Sequence, residues 1–164
     1  MNYMIALASP QEIRGKYIQA AQKLFSSASD KYLLSEHSLP HITLCQFDCE
    51  EKDATAIWDE LTDLKMHSYS VRFNGFSFIK GLDVHRDFYW AELSIARDEE
   101  IMKIYRTTDA IIHSHGFTCL NEQGDGYRPH LTLARIRLPD TFQKLPDALI
   151  RTEHFKLDLL PCIL

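Results

Sequence analysis

The chain has 164 residues, a formal net charge of −5, and 45% hydrophobic and 25% charged residues. That length and balance suit one compact globular domain over residues 1–164, and the acidic charge argues against bulk electrostatic binding to long nucleic-acid duplexes while leaving room for a small phosphate ligand. The opening residues form no basic leader and no apolar run approaches a membrane span, while Cys45, Cys49, Cys119 and Cys162 show neither Cys-x-x-Cys nor zinc-type spacing, so the expectation is a cytoplasmic protein with reduced thiols and no metal.

The run NYMIALA is short and apolar and reads as a buried strand. SPQE follows, with Ser9 as N-cap, Pro10 as first helical residue and Glu12 as capping-box partner. Ile13, Tyr17, Ala20, Ala21, Leu24 and Phe25 then recur at helical spacing. SSASDKYLLSEHSLP reads as a loop and HITLCQF as a strand. A helix is expected around Ile57, Leu61 and Leu64, and a strand over YSVRFNGFSFI.

The order then repeats. DFYWAELSI is a strand, and Asp98 caps a helix that Gly116 stops. NEQGDGYRP is a polar loop and HLTLARI a strand. DTFQKLPDAL reads as a short or broken helix, interrupted by Pro146, and HFKLDLLPCIL as a closing strand. Each half thus runs strand, helix, strand, helix, strand. The fold class expected is α+β: a bilobal, pseudo-symmetric duplication in which two antiparallel sheets line a central cleft with helices outside. A parallel α/β sheet is the competing arrangement.

Equivalent strands in the two halves begin PHITL and PHLTL. Alternation along a strand points His41 and Thr43 to one side and Ile42 and Leu44 to the other, and likewise His130 and Thr132 against Leu131 and Leu133. Composition alone supplies about half a His-x-Thr in such a chain, so two extended copies in matching places point to function. A neutral imidazole can take a proton from water, a protonated one can give a proton to a leaving oxygen, and threonine hydroxyls can donate to non-bridging phosphoryl oxygens. That set suits the opening of a cyclic phosphodiester without a cofactor.

The phrases PHITL and YRPHLTLAR, with the opening YMIALASPQE, the strand FYWAELSI and the ending HFKLDLLPCIL, resemble the 2H phosphoesterases. The branch they resemble is that of the bacterial and archaeal RNA 2′,3′-cyclic phosphodiesterases, also called 2′-5′ RNA ligases. The resemblance implies a bilobal fold around a cleft, His41 and His130 as acid-base pair, Thr43 and Thr132 as phosphate ligands, and hydrolysis of a 2′,3′-cyclic phosphate to a 2′-phosphate. Cleavage or reversible ligation of 2′-5′ linkages by the same residues, or phosphate binding without turnover, are the other readings. The expected partner is a small nucleotide or short single-stranded RNA, taken by a monomer with no obligatory protein partner.

Around the motifs, Arg128 is a candidate phosphate ligand and Tyr127 a candidate platform for a base, or both are simply loop and strand-edge residues. Phe47 shares the parity of His41 and is either a second stacking residue or core. Cys45 has the same parity and reads as a small buried thiol. Arg135 has the opposite parity to His130 and is expected to face away in a structural ion pair, unless the strand bulges.

Overall fold

The computed structural model describes residues 1–137 and 147–162. Its strands are β1 (Asn2–Ala8), β2 (Ser29–Leu33), β3 (His41–Asp48), β4 (Ser68–Lys80), β5 (Tyr89–Ile95), β6 (His130–Ile136) and β7 (Thr152–Pro161). The helices are α1 (Gln11–Phe25), α2 (Glu51–Glu60), α3 (Thr62–Lys65) and α4 (Glu99–Ser114). The expected broken helix through Pro146 lies outside the described residues, apart from a single 3-10 turn at Asp147–Leu149.

All ladders are antiparallel, and the strands follow one another in the order β2-β6-β5-β4-β7-β1-β3. The architecture is the expected antiparallel α+β one and not the competing parallel sheet, with the two expected sheets joined as one seven-stranded series. The join is β4, whose residues Ser68–Arg72 pair with β7 and whose residues from Phe73 to Lys80 pair with β5. The lobes are therefore not the sequence halves. β7 closes the lobe of β1 and β3, while most of β4 belongs to that of β5 and β6. The helices cross over too: α1 packs on β6 and α4 on β3. Each motif strand is thus backed by a helix from the other half of the chain.

This backing explains the aliphatic residues inside the motifs. Ile42, Leu44, Leu131 and Leu133 are fully buried in one core with Tyr17 and Phe25 of α1 and Ile101, Ile104 and Ile112 of α4. Burying each side chain is worth about 1.5–3 kcal/mol, which holds the polar side of each motif strand toward the cleft. Asp98 caps α4 as expected, its carboxylate accepting from Ile101 N at 3.1 Å, and Gly116 follows its end at φ +83°.

The start of α1 differs from expectation. Pro10 is the N-cap, no side chain caps this helix, and Ser9 Oγ is buried without a hydrogen-bond partner. Ser9 instead uses its backbone: its N–H donates to Pro40 O at 2.9 Å and its carbonyl accepts from Arg14 Nε at 2.9 Å. The segment expected as a loop contains β2, an edge strand with Lys31 in left-handed backbone (φ 62°) and an interrupted register against β6.

The reduced-thiol expectation is corrected for two cysteines. Cys45 and Cys119 form a disulfide with Cα atoms 5.2 Å apart, whereas Cys49 and Cys162 are free. The bridge spans 74 residues of sequence and ties the loop after α4 to β3. Loop-closure entropy makes such a cross-link worth about 4 kcal/mol. Full reduction is therefore expected to lower the thermal midpoint by several degrees, and denatured protein to offer two thiols before reduction and four after it. An unchanged midpoint in protein shown to be fully reduced would contradict a stabilising bridge.

Candidate active site

The two motif strands are built alike. His41 Nδ1 lies 2.7 Å from Leu39 O, and His130 Nδ1 lies 2.7 Å from Arg128 O. A carbonyl oxygen only accepts, so Nδ1 carries a proton in both rings and Nε2 is left for chemistry. The residue between each ring and its carbonyl is a buried proline, Pro40 or Pro129, which has no N–H and a fixed φ. The proline carbonyls are also matched: Pro40 O accepts from Ser9 N and Pro129 O from Ile95 N, at the ends of the neighbouring strands.

A β-bulge follows each motif. Ala6 pairs with Thr43 but Ile5 with Cys45, leaving Leu44 without an opposite number. In the other lobe Glu92 pairs with Thr132 but Ala91 with Ala134, leaving Leu133 over. Each extra residue reverses the alternation beyond it. Cys45 and Phe47 consequently turn into the core, where both are fully buried and Phe47 packs near Tyr3 and Phe117. Phe47 is no base-stacking residue; the bulge removes it from the cleft. The same reversal brings Arg135 to the His130 side, against simple parity. The ion pair expected of it is present, with Asp30 at 3.3 Å, and its guanidinium lies over the rings of Phe88 and Trp90.

Tyr127 is 2% exposed, and its ring is stacked on Tyr105 at 3.9 Å between centroids. Its hydroxyl donates to Thr43 O at 3.0 Å. The ring braces β3 from the other lobe and offers no free face for a base. Arg128 borders the cleft, where its guanidinium is paired with the carboxylate of Glu92.

Glu92 is the site residue that sequence reasoning missed. It is 3% exposed, sits directly across from Thr132 in the ladder, and places Oε1 3.4 Å from His130 Nε2. A lone carboxylate inside the apolar strand FYWAELSI was the available signal. Asn121 was missed as well. Its Oδ1 accepts from Gln46 N at 2.8 Å and its Nδ2 donates to Leu44 O at 3.2 Å, which covers the bulged edge of β3 as β2 covers β6.

Thr43, Glu92, Arg128, His130 and Thr132 share the wall of a cavity of about 660 Å³, closed on another side by the β4–β5 turn with His85 and by Trp90. His41 is half-buried and is not one of the residues lining this cavity. Burial pushes its imidazole below the ordinary value of 6.5, the hydrogen bond to Leu39 works against that, and the charge of His130 adds to the lowering. Among the described residues, the potential metal ligands that gather are Cys45, Cys119 and Asp109, and the disulfide already engages both sulfurs.

The model of the 2′-5′ RNA ligase superfamily matches residues 9–161, and the chain belongs to that superfamily, a group of 2H phosphoesterases. Among solved structures, E. coli LigT complexed with 3′-AMP aligns with a TM-score of 0.67 at 15% identity, covering 96% of this chain and 86% of LigT. The MHV ns2 PDE domain aligns at 0.59 and 16% identity, over 98% of this chain and 99% of that one. Kluyveromyces marxianus Usb1 aligns at 0.59 and 11% identity, over 98% of both chains. At these identities the likeness is one of fold. No curated protein matches the chain by sequence.

An NMR titration of the imidazole Cε1–H signals checks the electrostatics. His41 is expected to titrate below 6.5, and to move upward in His130→Ala while staying below 6.5, since burial is the larger cause. A His41 midpoint at or above 6.5 in the parent protein would contradict this environment.

Proposed function

We propose that the chain hydrolyses the 2′,3′-cyclic phosphate of a nucleotide or short RNA end to a 2′-phosphate, using His41 and His130 as a general acid-base pair without a metal. The observation that carries this reading is the doubled arrangement of imidazole, preceding proline and carbonyl, which leaves Nε2 free in both rings, with His130, Thr43 and Thr132 lining one cavity. A cavity of about 660 Å³ is of nucleotide size. The 3′-AMP held by E. coli LigT supports a nucleotide-sized ligand on this fold.

In this reading the two rings divide the roles according to their surroundings. His41, held neutral by burial, takes a proton from the attacking water through Nε2. His130, next to the Glu92 carboxylate, is the imidazolium that protonates the leaving 3′-oxygen. Thr43 and Thr132 donate to the non-bridging oxygens, where charge accumulates. One proton enters at His41 and one leaves at His130, and exchange with solvent resets the pair. With a ribose hydroxyl in place of the water, the same residues would break the P–O3′ bond and join the 2′,3′-cyclic end to that hydroxyl through a 2′-linked phosphodiester, and the 2′-5′ RNA ligase family assignment favours testing that nucleophile too. The whole chain acts as one unit in this account, because its two halves each supply one motif.

Incubation with nucleoside 2′,3′-cyclic phosphates in EDTA is expected to yield 2′-monophosphates. His41→Ala and His130→Ala should each lose about a thousandfold or more in kcat/KM while remaining folded. The acidic limb of the parent pH profile should fall below 6.5, because the base His41 stays neutral to lower pH than an ordinary imidazole. Near-normal turnover in either variant would rule out the pair, and bound nucleotide without product in any protein would mark a binding module.

A further inference from the structure

The two lobes differ in the residue that faces each motif threonine. The residue across from Thr43 is Ala6, whereas the residue across from Thr132 is Glu92. A buried carboxylate in a cleft built for a phosphate is electrostatically costly. It is held there by Arg128 on one side and lies 3.4 Å from His130 Nε2 on the other. These are the two cationic groups an incoming phosphate also needs.

We propose that Glu92 makes the site selective for monoanionic phosphodiesters and drives out dianionic phosphomonoesters; the proposal rests on the phosphodiesterase reading above. With Arg128 and a protonated His130 positive and Glu92 negative, the local balance is one positive charge, which a phosphodiester neutralises. Attack by water breaks the P–O3′ bond and forms a new P–O bond. One water proton goes to His41, the other stays on phosphorus as P–OH, and His130 gives its proton to O3′. The product is first a monoanionic monoester. Its remaining proton is lost near pH ~6, so at neutral pH it becomes a dianion. The carboxylate beside Thr132 repels that second charge at close range in a poorly screened site. Ala6 places no such charge by Thr43, so the discrimination is confined to the His130 side.

The test compares two ligands that cannot cyclise: 3′-deoxyadenosine 2′-monophosphate, a dianion at about pH 7.5, and its methyl diester, a monoanion. Calorimetry gives both dissociation constants at one pH, without turnover. The parent protein is expected to bind the diester more tightly. Glu92→Gln, which keeps the shape, should shift the ratio about tenfold toward the dianion, chiefly by tightening its binding. Glu92→Asp, which keeps the charge, should retain the parent preference. A parent protein that prefers the dianion would overturn the proposal without any variant. So would a Glu92→Gln protein that weakens both ligands equally, which would make Glu92 only a support for Arg128. If the parent binds neither ligand and also turns over no cyclic phosphate, the phosphodiesterase reading itself fails. Turnover combined with an unshifted ratio would remove only the role of Glu92.

Discussion

The site rests on one hydrogen bond, made twice: an imidazole Nδ1–H given to the carbonyl two residues earlier in the chain. It fixes which ring nitrogen is free, and it fixes the ring plane. Pro40 and Pro129, each with a fixed φ, stand between the ring and the carbonyl it binds. Each proline lacks a backbone donor, and its carbonyl receives an N–H at the end of the neighbouring strand, from Ser9 just after β1 or from Ile95, the last residue of β5. The two aliphatic residues of each motif then lock the strand from behind. Chemistry and core packing are therefore specified by alternate residues of the same five-residue phrase.

The two motif strands are alike in their pairing and unlike in what surrounds them, and the departures define the working site. Both motif strands bulge after the threonine, so both re-aim their later residues. One lobe uses β2 to cover the bulged edge, and the other uses Asn121 on a loop bridged by Cys119 to Cys45. Past the bulge stands Gln46 in one strand and Arg135 in the other. Across from the threonine stands Ala6 in one and Glu92 in the other. Two identical imidazoles would compete for the same proton. A buried His41 and a carboxylate-flanked His130 are unlike enough to divide the work.

Much of this was legible in the sequence, and the failures share a cause. Strand-helix order, the cap at Asp98 and the stop at Gly116 follow from local propensity. The pairing of His41 with Thr43 and of His130 with Thr132 follows from strict alternation. Phe47, Cys45 and Arg135 defeat that rule because each lies beyond a bulge, and a bulge is set by the neighbouring strand's register. Tyr127 looked free because its stacking partner, Tyr105, lies on a distant helix. Glu92 needed Arg128 and His130 brought to it by pairing of β5 with β6. β2 was hidden by Ser29, Asp30 and Lys31, polar residues tolerated in an edge strand with a broken ladder. The disulfide joins cysteines 74 positions apart, a distance that spacing alone does not decode.

The most direct test of the account is ¹⁵N NMR of the histidine rings in the folded protein, at a pH where both imidazoles are neutral. The account predicts that His41 and His130 share one tautomer, with a protonated Nδ1 and a bare Nε2. A ring whose proton sits on Nε2 would leave the carbonyl contact without a donor and the cleft without its base, and would contradict the account at its foundation.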